Sequence, residues 1–253
     1  MGSPASFFSS PSCLRSPRNR GENRIQMAPA HDGGVTQTLQ SIYIPPLLNA
    51  PFSAVVNTDW ARPIPGGGTY TLVNARHVAR DSRGRIYEER WLLVPKGGDI
   101  ESRRNVIQIA DPAAHTLYNC FPLQEPHRCY KLAFDEPAIA VFKPAAIVPG
   151  PLASGKGFST HEDLGLRTIE GIDTHGSRDS TTLNIGAIGN DRPVVTTREF
   201  WFAEPLGINL LSILDDPQAG KQTFRLSEVT RSEPDPQLFE LPEGYEVVDQ
   251  ARN

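Results

Sequence analysis

Histidines and carboxylates crowd together at three places in the sequence, and each spacing tests for chemistry. His161-Glu162-Asp163 is a dense polar trio. A helical zinc site needs two histidines one turn apart with a glutamate between them. No second histidine lies at that spacing, so the trio reads as the solvated start of a strand. Asp173 and His175 lie two apart, hence on one face of a strand, with Arg178 further along. An Asp–His pair can orient a general base, yet the Asp, Thr, His and Gly of this stretch read as a hairpin tip. Asp215-Asp216-Pro217 offers paired carboxylates. Adjacent strand residues point to opposite faces, so the two cannot share a proton as a dyad does, and turn chemistry accounts for them. Lys96-Gly97-Gly98 and Gly155-Lys156-Gly157 lack the phosphate-loop spacing and open no helix. No serine sits in a Gly-x-Ser-x-Gly elbow. These residues predict no catalytic group, no metal site and no cofactor, in a chain that is not an enzyme.

Aromatic residues point elsewhere. Phe52, Trp60, Tyr70, Trp91, Phe200, Trp201 and Phe202 fall on different predicted strands. They read either as a packed core, where aromatics bury the most area, or as the lining of an apolar groove for a lipid-like ligand or a peptide. Trp60, Tyr70, Trp91, Phe200 and Phe202 are the candidate lining residues, and a groove of that kind predicts an apolar cavity of roughly 300 Å³ or more. Trp201 must face away from Phe200 and Phe202, so one side of that strand carries a covering layer or an exposed ring.

Cys120 and Cys129 stand nine apart, across a loop with Pro122 and Pro126. Two short strands joined there bring the sulfurs opposite each other, as a disulfide or as two free thiols on neighbouring strands. A bridge closing so short a loop stabilises by about 2–3 kcal/mol on the chain-entropy model. Zinc is disfavoured, because His127 is the only extra ligand nearby.

The elements that hold these residues are strands. Ile42-Tyr43-Ile44-Pro45-Pro46 reads as an extended lead-in, since two prolines forbid a central strand. Period-two alternation predicts strands over 52–62, 69–80 and 86–95, a three-stranded meander with turns at Pro65-Gly66-Gly67-Gly68 and Asp81-Ser82-Arg83-Gly84-Arg85. Further strands are predicted over 105–110, 116–121 and 127–134. Residues 135–160, with Pro137, Pro144, Pro149 and Pro151, read as a long surface excursion. A hairpin over 166–171 and 173–183 follows, then a turn-rich loop over 184–193 and strands over 194–203, 208–215 and 223–231. Asp235 and Pro236 predict the cap and first position of one helical turn, and a last strand is expected over 245–248.

Composition agrees. The chain has 253 residues, 23 of them proline, a net charge of −4 and no apolar run that a membrane helix needs. The mild acidity excludes a basic footprint for nucleic acid. Residues 1–41 read as a disordered tail carrying Cys13, with one helical turn at most over 35–39. No secretory signal is visible, because the basic residues follow Phe7 and Phe8 rather than precede them. A Cys120–Cys129 bridge argues the other way, for an oxidising compartment.

The order of hairpins, the strands holding Ile169-Glu170-Gly171 and Glu199-Phe200-Trp201-Phe202, and the closing run from Asp235 to Pro242 resemble a known type. They resemble exported bacterial β-domains of the lipoprotein-carrier type, shared by outer-membrane lipoprotein carriers and the sensor domain of an envelope-stress regulator. A group of bacterial proteins of that style carries a loop similar to Gly186-Ala187-Ile188-Gly189-Asn190-Asp191-Arg192-Pro193. The resemblance spans about residues 50–249 and departs from the family in lacking a long N-terminal helix. It implies a strongly curved antiparallel sheet, a half-barrel of serial hairpins with few short helices, whose concave face can cover an acyl chain. The expectation is one mainly β domain over 42–253, acting as a non-enzymatic binding module for a lipid-like or amphipathic ligand, in carriage or sensing, at the periplasm or cell surface. The alternative is a structural or protein-interaction domain with a filled core, working through sheet edges or the 184–193 loop, with the cytoplasm as its other setting.

Overall fold

The computed structural model describes residues 42–144 and 148–250, and the expectations for the tail over 1–41 lie outside them. The chain forms fourteen strands, with period-two burial clearest in β1: β1 (Phe52–Pro63), β2 (Thr69–Arg80), β3 (Ile86–Trp91), β4 (Val94–Pro95), β5 (Arg104–Asp111), β6 (Thr116–Phe121), β7 (Arg128–Ala133), β8 (Gly150–Pro151), β9 (Gly157–Ile169), β10 (Ile172–Leu183), β11 (Val194–Ala203), β12 (Ile208–Asp216), β13 (Gly220–Thr230) and β14 (Glu246–Asp249). All belong to one sheet of order β14-β7-β6-β5-β3-β2-β1-β13-β12-β11-β10-β9-β8, with β4 paired to β2. Among the described strand pairs only β14 with β7 is parallel, and a parallel bridge joins Leu47 to Ile139 outside the strands.

The chain lays down one meander outward from β1 to β7, crosses over, and lays down a second inward from β8 to β13. The two meanders join where β13 pairs with β1. The path ends at β14 and β8, so the sheet is open. It is also strongly curved. Between β2 and β12 lie β1 and β13, and three interstrand spacings would span about 14 Å if the sheet were flat. Yet the Arg80 side chain on β2 reaches the carbonyl of Leu206, in the turn before β12, at 2.6 Å.

Along β1, Phe52, Ala54, Val56, Thr58 and Trp60 are buried while the intervening residues are half-buried. Register places Val78 and Leu72 of β2, and Leu226 and Phe224 of β13, on the same face. The lead-in, 42–50, lies over one end of this face as a strap, burying Ile42, Ile44 and Leu47. Its two prolines keep it out of the sheet. It pairs instead with the crossing segment, through Leu48 N–H to Ile139 O (2.8 Å) and Ile139 N–H to Pro46 O (3.0 Å). The core under the strap holds Ile86, Ala110, Ile172, Ala203, Leu206, Ile208 and Leu210. The opposite face has its own cluster, Ala79, Tyr87, Ile107, Ile109, Cys120, Cys129 and Phe239. A 3₁₀ turn (Pro236–Phe239) packs there, capped by Asp235, whose carboxylate accepts from Gln237 N–H at 3.0 Å. This is the helical turn that the sequence predicts.

Three local expectations are corrected. The strand over 86–95 is broken into β3 and β4, because Asn74 Nδ2 donates to Trp91 O (2.7 Å) and Arg76 Nη1 to Glu89 O (3.5 Å), so side chains stand where a ladder would run. β9 begins at Gly157, inside the expected excursion. Asp173 and His175 lie within β10, and the tip is Glu170-Gly171, with φ of 51° and 71°. Both residues adopt the left-handed region that a two-residue hairpin turn requires.

Candidate functional site

The five candidate aromatics divide into two groups. Trp60 is 1% exposed, packs with Leu72 and Leu93, and donates Nε1–H to Ala219 O at 2.8 Å. The Arg62 guanidinium lies 4.6 Å from the Trp60 ring and 5.6 Å from that of Tyr70, which is 39% exposed. Cation–π contact thus ties an anchored ring to an accessible one. Phe200 faces Ser212 of β12 and Ser177 of β10, and the register through Arg198, Leu214 and Gln222 places it on the face of Trp60. Phe200, Ser212 and Leu214 are half-buried, beyond the strap.

Trp91 and Phe202 are drawn away. A register shift between Trp201 and Phe202 turns Phe202 toward Phe142 of the crossing segment, at 6.3 Å between ring centres. Trp91 donates Nε1–H to Glu89 Oε2 at 2.8 Å. Trp201, predicted to face oppositely, is buried there: its ring lies against Gly176 and under the Arg167 guanidinium at 5.3 Å, and Nε1–H donates to Glu199. The ring is thus buried by side chains of neighbouring strands in its own sheet, and these contacts give neither a second layer nor an exposed ring.

The acid–base stretches resolve into cross-strand pairs. His161 Nδ1 lies 2.6 Å from Asp179 Oδ1, and His175 Nε2 lies 3.0 Å from Asp163 Oδ1. Asp173 accepts from Thr168 instead of pairing with His175. Arg178 bridges Glu162 (3.0 Å) and Glu199 (2.9 Å) across three strands. Asp216 caps its turn by accepting from Gln218 N–H and Ala219 N–H. Burial opposes its charge, but these donors and Thr196 hold its carboxyl below the ordinary range. No three His, Cys, Asp or Glu side chains converge as a metal site among the described residues. Cys120 and Cys129, directly opposed on β6 and β7, form the disulfide.

Of the four buried charged residues among those described, Arg76, Arg80, Asp81 and Glu89, the sequence reading placed none in the core. Arg80 is fully buried and donates to Ala50 O (3.1 and 2.8 Å), Pro45 O (2.9 Å) and Leu206 O (2.6 Å). Burial pulls its guanidinium down to about 10, which leaves it charged at neutral pH. Glu89 is 4% exposed and accepts from Tyr87 Oη (2.8 Å), Arg104 Nη1 (2.8 Å), Trp91 Nε1 (2.8 Å) and His77 N–H (3.2 Å). Burial works against its charge, but these donors outweigh it and hold the carboxyl below the usual range. The signal was phase: Arg80 lies in step with Val78, and Glu89 in step with Tyr87, at positions where alternation demands core.

A cleft of about 430 Å³ opens between β1, β2 and the β4 arm, lined by Asn57, Thr58, Asp59, Val73, Asn74, Ala75, Val94, Lys96 and Ser102. It meets the expected size, and although six of its nine lining residues are polar most of its exposed lining is apolar; none of the five aromatics lines it. Among the described residues no helix is long and apolar enough to cross a membrane.

No family model and no curated protein matches the chain. Among solved structures it is similar to MucB, at 13% identity and a TM-score of 0.36 over 79% of this chain, and it spans 60% of the MucB chain. It is also similar to the lipoprotein LppX of Mycobacterium tuberculosis, at 11% identity and a TM-score of 0.31, covering 74% of this chain and 89% of that one. A LolA superfamily protein of Nitrosomonas europaea follows at 10% identity and a TM-score of 0.27, over 76% of this chain and 91% of that one. These are proteins of the style that the sequence resembles, but at such TM-scores the likeness carries no argument about ligand or role.

Proposed function

We propose that the protein is a non-enzymatic binding module that holds a lipid-like or amphipathic ligand against the strap face, in carriage or sensing. The observation that carries this reading is the uneven cover of that face. The strap fills one end, while beyond it Phe200 and Leu214 stay half-buried and Tyr70 exposed, beside the anchored Trp60. Apolar surface left partly wet on a rigid sheet is what an acyl chain can cover without paying to order the protein. Trp91 and Phe202 then support the site's walls rather than touch the ligand. The Cys120–Cys129 bridge supports export to an oxidising compartment such as the periplasm or cell surface. Titration with a fluorescent fatty acid tests the reading: saturable uptake with quenching of tryptophan emission is expected, weakened about tenfold by Phe200→Asp, since a buried charge costs at least that much. Absence of saturable uptake by the folded protein would sink it.

A second reading, a partner-protein module, rests on the 184–193 loop. Ile185 and Ile188 are 65% and 56% exposed, yet the loop is tied down by Asn190. Its Nδ2 donates to Asn184 O (2.8 Å) and Arg192 O (2.7 Å), and its Oδ1 accepts from Ile188 N–H (3.0 Å). Apolar side chains presented on an ordered loop lose little entropy on docking. Partner recovery with and without Ile185→Asn distinguishes this role from ligand carriage.

A further inference from the structure

The cleft beside the β4 arm has no part in either reading, and its two charges are arranged for a particular chemistry. Register places Asp59 opposite Val73, and Val73 opposite Val94, on the face away from the strap. Asn57 and Ala75 form the adjacent row. Lys96, two residues beyond Val94, reaches back so that its Nζ lies 3.2 Å from Asp59 Oδ1. The Lys96 and Asp59 side chains are 65% and 47% exposed, and a pair so exposed contributes little in water. It therefore opens at small cost, offering one cation and one anion side by side above an apolar floor of Val73, Ala75 and Val94.

We infer that this cleft is a binding site for a small zwitterion, with a ligand ammonium on Asp59 and a ligand anionic group, such as a phosphate, on Lys96. A lone anion would meet Asp59 and a lone cation Lys96, so the paired charges select against either half alone. The volume suits a ligand of this size. The chemistry is shared by a free metabolite and by the headgroup of a zwitterionic lipid.

Amide shifts of Val73, Ala75 and Val94, followed by NMR in the full chain, read the site. Phosphoethanolamine is expected to produce saturable shifts at millimolar concentration. Ethanolamine and inorganic phosphate, each carrying one half, are expected to bind about tenfold more weakly, the loss of one charged contact. Asp59→Asn and Lys96→Gln, both at exposed side chains, are expected to weaken binding similarly while the rest of the spectrum stays unchanged. Vesicles containing phosphatidylethanolamine, against vesicles of phosphatidylglycerol, separate the two sources. Asp59-dependent binding to the former supports a headgroup, and binding of the soluble compound alone supports a free zwitterion. Absence of binding to both, phosphate binding as well as phosphoethanolamine, or indifference to both substitutions would overturn the inference. The cleft and the strap face are on opposite sides of β1, so fatty-acid uptake and this binding fail independently.

Discussion

The two faces of the sheet are each closed by chain from outside the meanders, and each carries a buried, multiply hydrogen-bonded charge, of opposite sign on the two. On the strap face Arg76 and Arg80 are buried, and Arg80 is the one that reaches the strap, through backbone carbonyls of Pro45, Ala50 and Leu206. On the other face the charge is Glu89, whose partners are the side chains of Tyr87, Trp91 and Arg104, with one backbone N–H from His77. The difference follows from what each cover lacks. The strap has two prolines and no strand beside it, so its carbonyls have no ladder to join, and a buried carbonyl without a donor is costly. A guanidinium supplies several donors in one rigid fork and satisfies strap and turn together. The other face is closed by a turn that caps itself through Asp235, so its charge instead joins side chains of β3 and β5 across the β2–β3 gap.

Removing each charge should therefore fail differently. Arg80→Ala strands carbonyls in the strap and the β11–β12 turn and removes the cation over the Phe52 ring, so a loss of about 3–5 kcal/mol is expected in urea unfolding. The strap amides near Leu48 should exchange with solvent before the β6–β7 pair does. Uniform loosening of both covers would mean that the strap is not the unit Arg80 holds.

Glu89→Gln should cost about 2–3 kcal/mol at neutral pH, since it exchanges a carboxylate with charged and neutral donors for a neutral amide. The pH dependence separates the charge from the packing. Glu89 is held below its ordinary value of 4.5, so its contribution is complete above that pH and is lost as the pH falls through the folded-state value. Urea midpoints of the parent should drop below about pH 4.5, while those of Glu89→Gln should fall less steeply. Parallel curves would exclude Glu89 as the titrating group.

How far these features are legible in sequence depends on which force fixed them. β2, β6 and β11 have the predicted bounds, and in β2 the buried Leu72, Arg76, Val78 and Arg80 record one face at period two. The first half of β9, Gly157–Gly165, shows no such period, because at the sheet's edge Ser159, His161 and Asp163 need no burial on either side. The break after Trp91 was hidden because the groups that take its carbonyl and that of Glu89 are Asn74 and Arg76, on another strand. For the same reason five aromatics were visible as strand residues, while the register shift that redirects Phe202 was not.

The disulfide tests whether the Glu89 face depends on its staple. Cys120→Ser with Cys129→Ser should cost about 2–3 kcal/mol from the loop-closure term. The loss should be concentrated in β6, β7 and β14, leaving the strap face protected from exchange. Gly176→Ala probes the second meander, where an added Cβ would meet the Trp201 ring at 2.8 Å and Leu164 at 2.9 Å. Neither the ring, held by Glu199 and Arg167, nor the paired backbone can retreat freely, so about 1–3 kcal/mol is expected. The near-ultraviolet signal of Trp201 should change with it, and an unaltered signal would mean that the ring yields.

The smallest effect is expected where neither closure reaches. Ile185 and Ile188 are exposed on a loop whose order comes from Asn190 and from backbone bonds such as Gly186 N–H to Asn190 O at 2.8 Å. Ile185→Asn with Ile188→Asn removes little buried area, so stability should stay within about 0.5 kcal/mol of the parent. Asn190→Ala, in contrast, releases two carbonyls and one N–H and should loosen the loop without touching either isoleucine. If the isoleucines serve a partner, both variants should lose it, the first by removing contact and the second by raising the entropy of docking. Should the double asparagine variant unfold substantially more readily than the parent, the isoleucines would belong to the fold, and the loop would join the closed regions of the molecule.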